Sequence, residues 1–227
     1  MSSKAFESFF NGSGEVQDIL DADPGPLGGL SEEPETTRAL TRAALVMLYG
    51  HFERYVRESM EEAVDLMNIE KVEPGLLPIT FKLRHSRKAV RRMSEMAWEK
   101  RETALGEFIT MEGWLWADVP AGKLDIKNLL EDLKSPTPKT LMKLYSMWGV
   151  PDIFRRITRK PQMRRLFWLS LEELVHKRNN IAHGDFAVET TQGDVRQYVK
   201  IASEFCRRTD GVLAMVLQQR MRVPCAW

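Results

Sequence analysis

LTRAALVMLYGHFERYVRESMEEAVDLM, residues 40–67, decides the fold class. Leu40, Ala44, Met47, Leu48, Phe52, Tyr55, Val56, Met60, Ala63, Val64 and Met67 recur at spacings of three and four, the period of a helix with one apolar face. No proline interrupts the run, so it predicts one long helix. Ser31, followed by Glu32, Glu33 and Glu35, reads as its cap and acidic first turn. Pro74-Gly75 and Pro78 close it.

Downstream the same period persists. A second helical stretch covers roughly 82–108, through Val90, Met93, Met96, Ala97 and Leu105. Asp125–Leu133 reads as a short helix, and Pro138–Trp148 as another with Thr137 as cap and Pro138 at its first position. A helix over about 162–183 stops at Gly184, and Asp194 caps a last one reaching about Arg222. No alternating strand pattern of useful length and no internal repeat is present. The expected class is all-α, a helical bundle.

Upstream the chain changes character. Asn11-Gly12-Ser13-Gly14 and Pro24-Gly25-Pro26-Leu27-Gly28-Gly29 are breaker clusters around one short helical candidate, Glu15–Leu20. Residues 1–33 therefore read as an extended, partly irregular arm or linker, anchored by Phe6, Phe9 and Phe10, and 34–227 as the helical domain. The arm is acidic. Through residue 35 it carries eight carboxylates against Lys4, leaving 32 basic and 24 acidic residues for the rest of a chain whose net charge is +1. A basic body suits a polyanionic partner, and the arm could dock on it and restrain it.

The 227 residues, 43% hydrophobic and 29% charged, have the composition of a globular protein. No apolar stretch approaches the 18 residues or so of a membrane span. The start, Met1-Ser2-Ser3-Lys4, lacks a secretory pattern. Two cysteines outside any CxxC pair give no disulfide framework, so a reducing cytoplasm is the expected location.

One helix face stands out chemically. In the stretch before Gly184, Phe167, Leu171, Leu174, Val175, Ile181 and Ala182 form an apolar stripe, and His176, Asn179, Asn180 and His183 a second one of short, mostly uncharged polar groups. A merely solvated face more often carries Lys and Glu. Two consecutive asparagines also cost helix propensity, and a local rule broken without visible gain marks a candidate site. Arg178 lies five residues before His183, a spacing that 20 arginines and four histidines make expected by chance, so the context carries the weight. On an ideal helix the two residues differ by about 140°. Either the last turn is distorted, or a second copy of the helix completes the site in a two-fold dimer. A capping and packing cluster at a helix end is the plain alternative.

The stretch Leu174-Val175-His176-Lys177-Arg178-Asn179-Asn180-Ile181-Ala182-His183-Gly184-Asp185 resembles the signature of the HEPN superfamily: Arg, a polar residue, three to five more, then His. It is most similar to the large bacterial branches of RiboL-PSP type. Leu45–Arg57 resembles the family's long early helix with an aromatic-Glu pair (Phe52-Glu53), and Asp194–Arg222 its closing helix. The resemblance covers roughly 36–222 and implies a HEPN-like bundle that dimerises and cleaves RNA without a metal, by attack of the 2′-hydroxyl on the adjacent phosphate. It implies that His183 is the acid–base residue, Arg178 the phosphate contact and Asn179 their polar support, with Asn180 and His176 as supporting groups. Imidazole exchanges protons near neutral pH, and a guanidinium suits a phosphoryl group gaining charge. A toxin–antitoxin or antiviral setting follows, with an antitoxin or ATPase sensor as possible protein partner; the runner-up is a non-catalytic HEPN-like dimer that binds RNA or protein. Family toxins silenced by adenylylation carry a tyrosine two positions after the histidine, where this chain has Asp185.

Two basic clusters are candidates for RNA contact: Lys82, Arg84, Arg87, Lys88, Arg91, Arg92, and the more promising Arg155, Arg156, Arg159, Lys160, Arg164, Arg165, which leads into the motif helix. Trp114, Trp116, Trp148 and Trp168 could stack bases, though packing is the plainer role. No cofactor is expected: glycine-rich phosphate loops, GxSxG and Cys/His nucleophile pairs are absent from the sequence. No metal is expected either, because His51, Glu53 and Glu58 lack a second histidine four residues away and His85 is isolated.

Overall fold

The computed structural model describes residues 2–22, 35–117, 122–131, 133–185, 188–225 and 227. Among them there are helices and turns but no strand, and the chain is all-α. The long helix of the opening stretch is α2, Glu35–Ile69. It buries Leu45, Leu48, Tyr49, Phe52, Tyr55, Val56, Met60 and Met67, so it forms the central post of the core. The proposed Ser31 cap lies outside the described residues.

The segment read as an irregular arm is, over Lys4–Ala22, a 19-residue helix, α1, laid along α2 and the last helix. This corrects the single short candidate at Glu15–Leu20. Ala5, Phe9, Val16 and Leu20 are buried in the common core, while Phe10 stays exposed and Phe6 is partly covered. Tertiary contacts overrode the two glycines: a Cβ on Gly12 would collide with the His51 ring of α2, whereas Gly14 has open space. The start of α1 is held by body carboxylates. Asp210 accepts from the Ser3 N–H and hydroxyl, Glu62 accepts from the Ala5 N–H at 2.9 Å, and Ser3 Oγ caps Phe6 N–H at 3.0 Å. These groups satisfy donors that a helix start leaves free and suit its positive end. At the other end Arg196 bonds Asp21 at 2.7 Å and the Leu20 carbonyl at 3.1 Å.

The stretch predicted as one helix over 82–108 is two, α3 (Ile79–Glu95) and α4 (Trp98–Trp116). Met96 and Ala97 turn extended, and Arg101 occupies the carbonyls of Ser94 and Met96, at 3.3 and 3.0 Å. Helix α5 (Ile126–Leu130) starts at Asp125, whose side chain caps Lys127 N–H; α6 (Pro138–Met147) has Thr137 as its cap, as expected. Then follow α7 (Ile153–Ile157), α8 (Pro161–Ala182) and α9 (Gln192–Arg220). The cap of α9 is Thr191 rather than Asp194, which serves as the third residue of a capping box. Helices α2, α8 and α9 pack together, with Phe167 and Phe52 each against Phe205 (5.8 and 6.0 Å between centroids). Among the described residues no helix is long and apolar enough to cross a membrane.

Candidate active site

The polar stripe sits on the last two turns of α8, whose opposite side is fixed in the core by Phe167, Leu171, Leu174 and Val175. Its end is regular. His183 N–H donates to the Asn179 carbonyl at 3.0 Å, Gly184 N–H to Ile181 and Asp185 N–H to Asn180, both at 3.0 Å. With Gly184 at φ +82°, this is a Schellman closure, in which only glycine is free of strain. The helix therefore carries Arg178 and His183 to different sides, and a distorted last turn is not what separates or joins them.

Arg178 turns inward. Its guanidinium lies over the Tyr49 ring of α2, 4.5 Å from the centroid, and its Nη1 donates to Asn179 Oδ1 at 3.1 Å. Its Nε is buried without a hydrogen-bond partner, and among the described residues no carboxylate pairs with it. Tyr49 is held in turn by Ser135, 2.9 Å from its hydroxyl. Burial, with a smaller contribution from the neighbouring Glu53 carboxylate, pushes the Tyr49 phenol above its ordinary value, so this wall stays neutral. Glu53 thus reaches the cluster through Tyr49.

His183 faces solvent at the helix end, and its imidazole makes no hydrogen bond or ion pair among the described residues. Asn180 and His176, one turn apart, are within 3.2 Å through Nδ2 and Nε2. Lys177 ties the helix to α9 through Asp194 at 3.7 Å and the Tyr198 ring at 5.7 Å. One chain thus gathers Arg178, Asn179 and Tyr49 on one side and His176, Asn180 and His183 towards solvent.

A model of the RiboL-PSP-HEPN family matches residues 14–215. That span takes in α2, α8 and most of α9 together with the motif. The chain belongs to the RiboL-PSP-HEPN family. The match begins inside α1, in keeping with a first helix that shares the domain's core. Neither the curated proteins nor the solved structures offer a match.

The second basic cluster surrounds a cleft of about 780 Å³ lined by Gly149, Val150, Pro151, Asp152, Arg155, Arg156, Arg159 and Arg164. Asp152, its one acidic lining residue, is engaged as the cap of α7, accepting Arg155 N–H at 2.9 Å. Lys160 and Arg165 are exposed beside the cleft without lining it. Sequence reasoning missed Arg220, whose Nη1 donates to the Gly149 carbonyl at 3.2 Å. Gly149, at φ +78°, leaves the room: a Cβ there would strike that guanidinium. The cluster lies at the opposite end of α8 from the motif. Nineteen residues separate Arg164 from His183, about 28 Å at 1.5 Å per residue.

In the other cluster Lys82 is buried, Arg84 Nε donates to the Leu129 carbonyl at 3.2 Å and Arg91 pairs with Glu95 at 2.9 Å, while Arg87, Lys88, Arg91 and Arg92 are exposed. Trp148 is buried against Phe81, Trp168 packs on Phe154, and Trp116 donates to Ser86 Oγ at 3.0 Å. His51 faces Glu15 of α1, 3.8 Å away, and His85 faces Glu112 at 3.5 Å.

Proposed function

We propose that this RiboL-PSP-HEPN protein is a metal-independent endoribonuclease whose active site combines α8 helices of two copies. The observation that carries it is the placement of Arg178: a charged guanidinium held on Tyr49 and Asn179 with no carboxylate among the described residues paired with it. An uncompensated, half-buried Arg is suited to an anion that arrives later. His183, unengaged at the helix end, is free to exchange protons.

In the proposed reaction His183 takes the proton of a 2′-hydroxyl as its oxygen attacks the adjacent phosphorus. The bond to the 5′-oxygen breaks, and that oxygen receives a proton from an imidazole. The products are a 2′,3′-cyclic phosphate and a 5′-hydroxyl. Arg178 stabilises the charge gathered on the phosphoryl oxygens, with Asn179 fixing its orientation. Because α8 carries Arg178 and His183 to different sides, the reading requires Arg178 of one copy to work with His183 of its partner. Arg155, Arg156, Arg159 and Arg164 contact the backbone of the RNA away from the cut.

The test is RNA cleavage in EDTA by wild type, Arg178→Ala and His183→Ala, with the product ends identified. Wild type is expected to cut and to leave cyclic phosphates, and each variant to lose at least about a hundredfold in rate. Undiminished cleavage by both variants would sink the assignment. The same separation within one chain favours a second reading, a binding module in which the motif holds RNA or a protein partner without turnover. Salt-dependent RNA binding with no product is its signature.

A further inference from the structure

The arginine cleft gathers more positive charge than its own surroundings answer. Arg155, Arg156, Arg159 and Arg164 line it and Arg220 stands at its rim, five guanidinium groups against the single carboxylate of Asp152. Among the described residues no carboxylate pairs with the four lining arginines. Arg156 reaches a thioether, Met215 Sδ at 2.7 Å, and Asp152 is engaged on backbone N–H. Glu204, on the stretch of α9 that Arg208 ties to the Ile157 carbonyl at 2.8 Å, is already taken by Arg207 and Arg208. The start of α8 offers no relief. Its first turn has no acidic residue, its cap Lys160 makes no side-chain cap bond, and Arg164 follows closely, where the helix dipole disfavours a cation. Like charges left uncompensated where helices ordinarily carry acids mark a place prepared for an anion.

The charge density selects the anion. A volume of 780 Å³ is that of a cube about 9 Å on a side. Stacked nucleic acid carries one charge per about 3.4 Å of strand, so fewer than three backbone phosphates cross that length. Five guanidinium groups less the Asp152 carboxylate leave a net charge of +4. A 5′-monophosphate carries about −1.5 to −2, and two further phosphates bring a 5′-triphosphate to about −4. Its terminal phosphate also presents three free oxygens where a diester presents two, and forked guanidinium donors take such oxygens in pairs. The residue type agrees. Each basic residue lining the cleft is an arginine, while Lys160 stays outside it.

We propose that the cleft binds a 5′-polyphosphate, that of an RNA end, so that its arginines hold the terminus of the strand. The inference rests on the reading of the chain as an RNA-binding nuclease and narrows the backbone contact to one kind of phosphate. On one chain His183 lies about 28 Å away along α8, so the phosphates held and the phosphate cut are different groups. End recognition and cleavage are therefore separable.

The affinity of the full chain for one single-stranded RNA bearing a 5′-triphosphate, a 5′-monophosphate or a 5′-hydroxyl tests it, read by fluorescence anisotropy from a 3′ label. The RNA is 2′-O-methylated throughout, which removes the attacking hydroxyl and keeps the strand intact. The triphosphate RNA is expected to bind at least about tenfold more tightly than the hydroxyl RNA, with the monophosphate between them. Arg159→Gln combined with Arg164→Gln is expected to abolish that ratio. Arg159→Gln alone, at an exposed position, is expected to reduce it severalfold and carries the test if the double variant fails to fold. Lys100→Gln removes an exposed charge on α4 and leaves the ratio unchanged. Absent binding, equal affinity for the three ends, a ratio that survives both arginine variants, or the same loss in Lys100→Gln would each overturn the proposal. ATP binding as tightly as the triphosphate RNA would also overturn it, since the occupant would then be a free nucleotide. Cleavage of unmodified RNA in EDTA is read separately. A chain that cuts without preferring a 5′ end refutes this inference alone, and one that prefers the end without cutting refutes the nuclease alone.

Discussion

Arg178 is charged, half-buried and short of partners: an aromatic face, one side-chain amide and a buried Nε with nothing to bond. An unsatisfied buried donor costs about 1–3 kcal/mol, so the arrangement is held by its surroundings rather than by its own gain. Tyr49 is the main holder. Tyr49→Phe keeps the ring beneath the guanidinium and loses the hydroxyl's contacts with Ser135 and Glu53. It is expected to lower stability by about 1 kcal/mol in denaturant unfolding and to leave RNA cleavage nearly intact. Tyr49→Leu removes the cation–π contact, and cleavage is expected to fall about tenfold, for a contact worth roughly 1 kcal/mol or somewhat more. Glu204 shows the opposite economy. Hydrogen bonds from Arg207 and then Arg208, at 2.9 and 2.6 Å, pull its carboxyl from 4.5 down to about 2. A lowered folded-state value means that its contribution is present above about pH 4.5 and is lost as pH falls towards 2. Glu204→Gln should therefore reduce stability at pH 7 by no more than about 1 kcal/mol, since the pair is partly exposed, and the difference from wild type should vanish near pH 2 in parallel unfolding curves.

Among the elements, α1 departs furthest from its sequence reading. Local propensity argues against a helix through Asn11-Gly12-Ser13-Gly14, yet α1 runs unbroken because Phe9, Val16 and Leu20 enter the core and Asp210 and Glu62 hold its start. Of its acidic residues, Asp21 adds a contact to Arg196 at the far end. Phe9→Ala is expected to cost about 3–5 kcal/mol in thermal or chemical unfolding, as for a fully buried core aromatic. Removing residues 1–33 should unfold the domain rather than strengthen RNA affinity at low salt, which a melting curve of the truncated chain checks. Helix α8 shows the reverse case. Its end at Gly184 was legible because the Schellman closure is local and needs a residue at ease with positive φ. The break between α3 and α4 was not legible: it uses no glycine or proline, only Arg101 folding back on the carbonyls of Ser94 and Met96.

For the whole molecule, charge is segregated along α8. Four arginines line the cleft at its start, with Arg220 at the rim, and Arg178 and His183 lie at its far end. Replacing Arg155, Arg156, Arg159 and Arg164 with Gln is expected to lower the slope of log affinity against log salt by about 3, at about 0.7 per single-strand phosphate contact. Fluorescence anisotropy with a labelled RNA across a salt series measures it, and an unchanged slope would remove the cleft from the RNA path. His183→Ala in the same assay should leave the slope within about one contact of wild type.

The all-α class, the long α2, the cap at Thr137, the stop at Gly184 and the family motif were all written in the chain. Each depends on period or on chemistry within a few residues, where sequence distance and spatial distance are the same thing. The tertiary structure alone decided that α1 belongs to the core, that Tyr49 lies under Arg178 across 129 positions, and that Arg220 joins the arginine cleft through the bare backbone of Gly149. The physical reason is common to the three. Burial, a cation over a ring and a guanidinium on a carbonyl depend on which surfaces meet, and that is set by the packing of helices far apart in sequence.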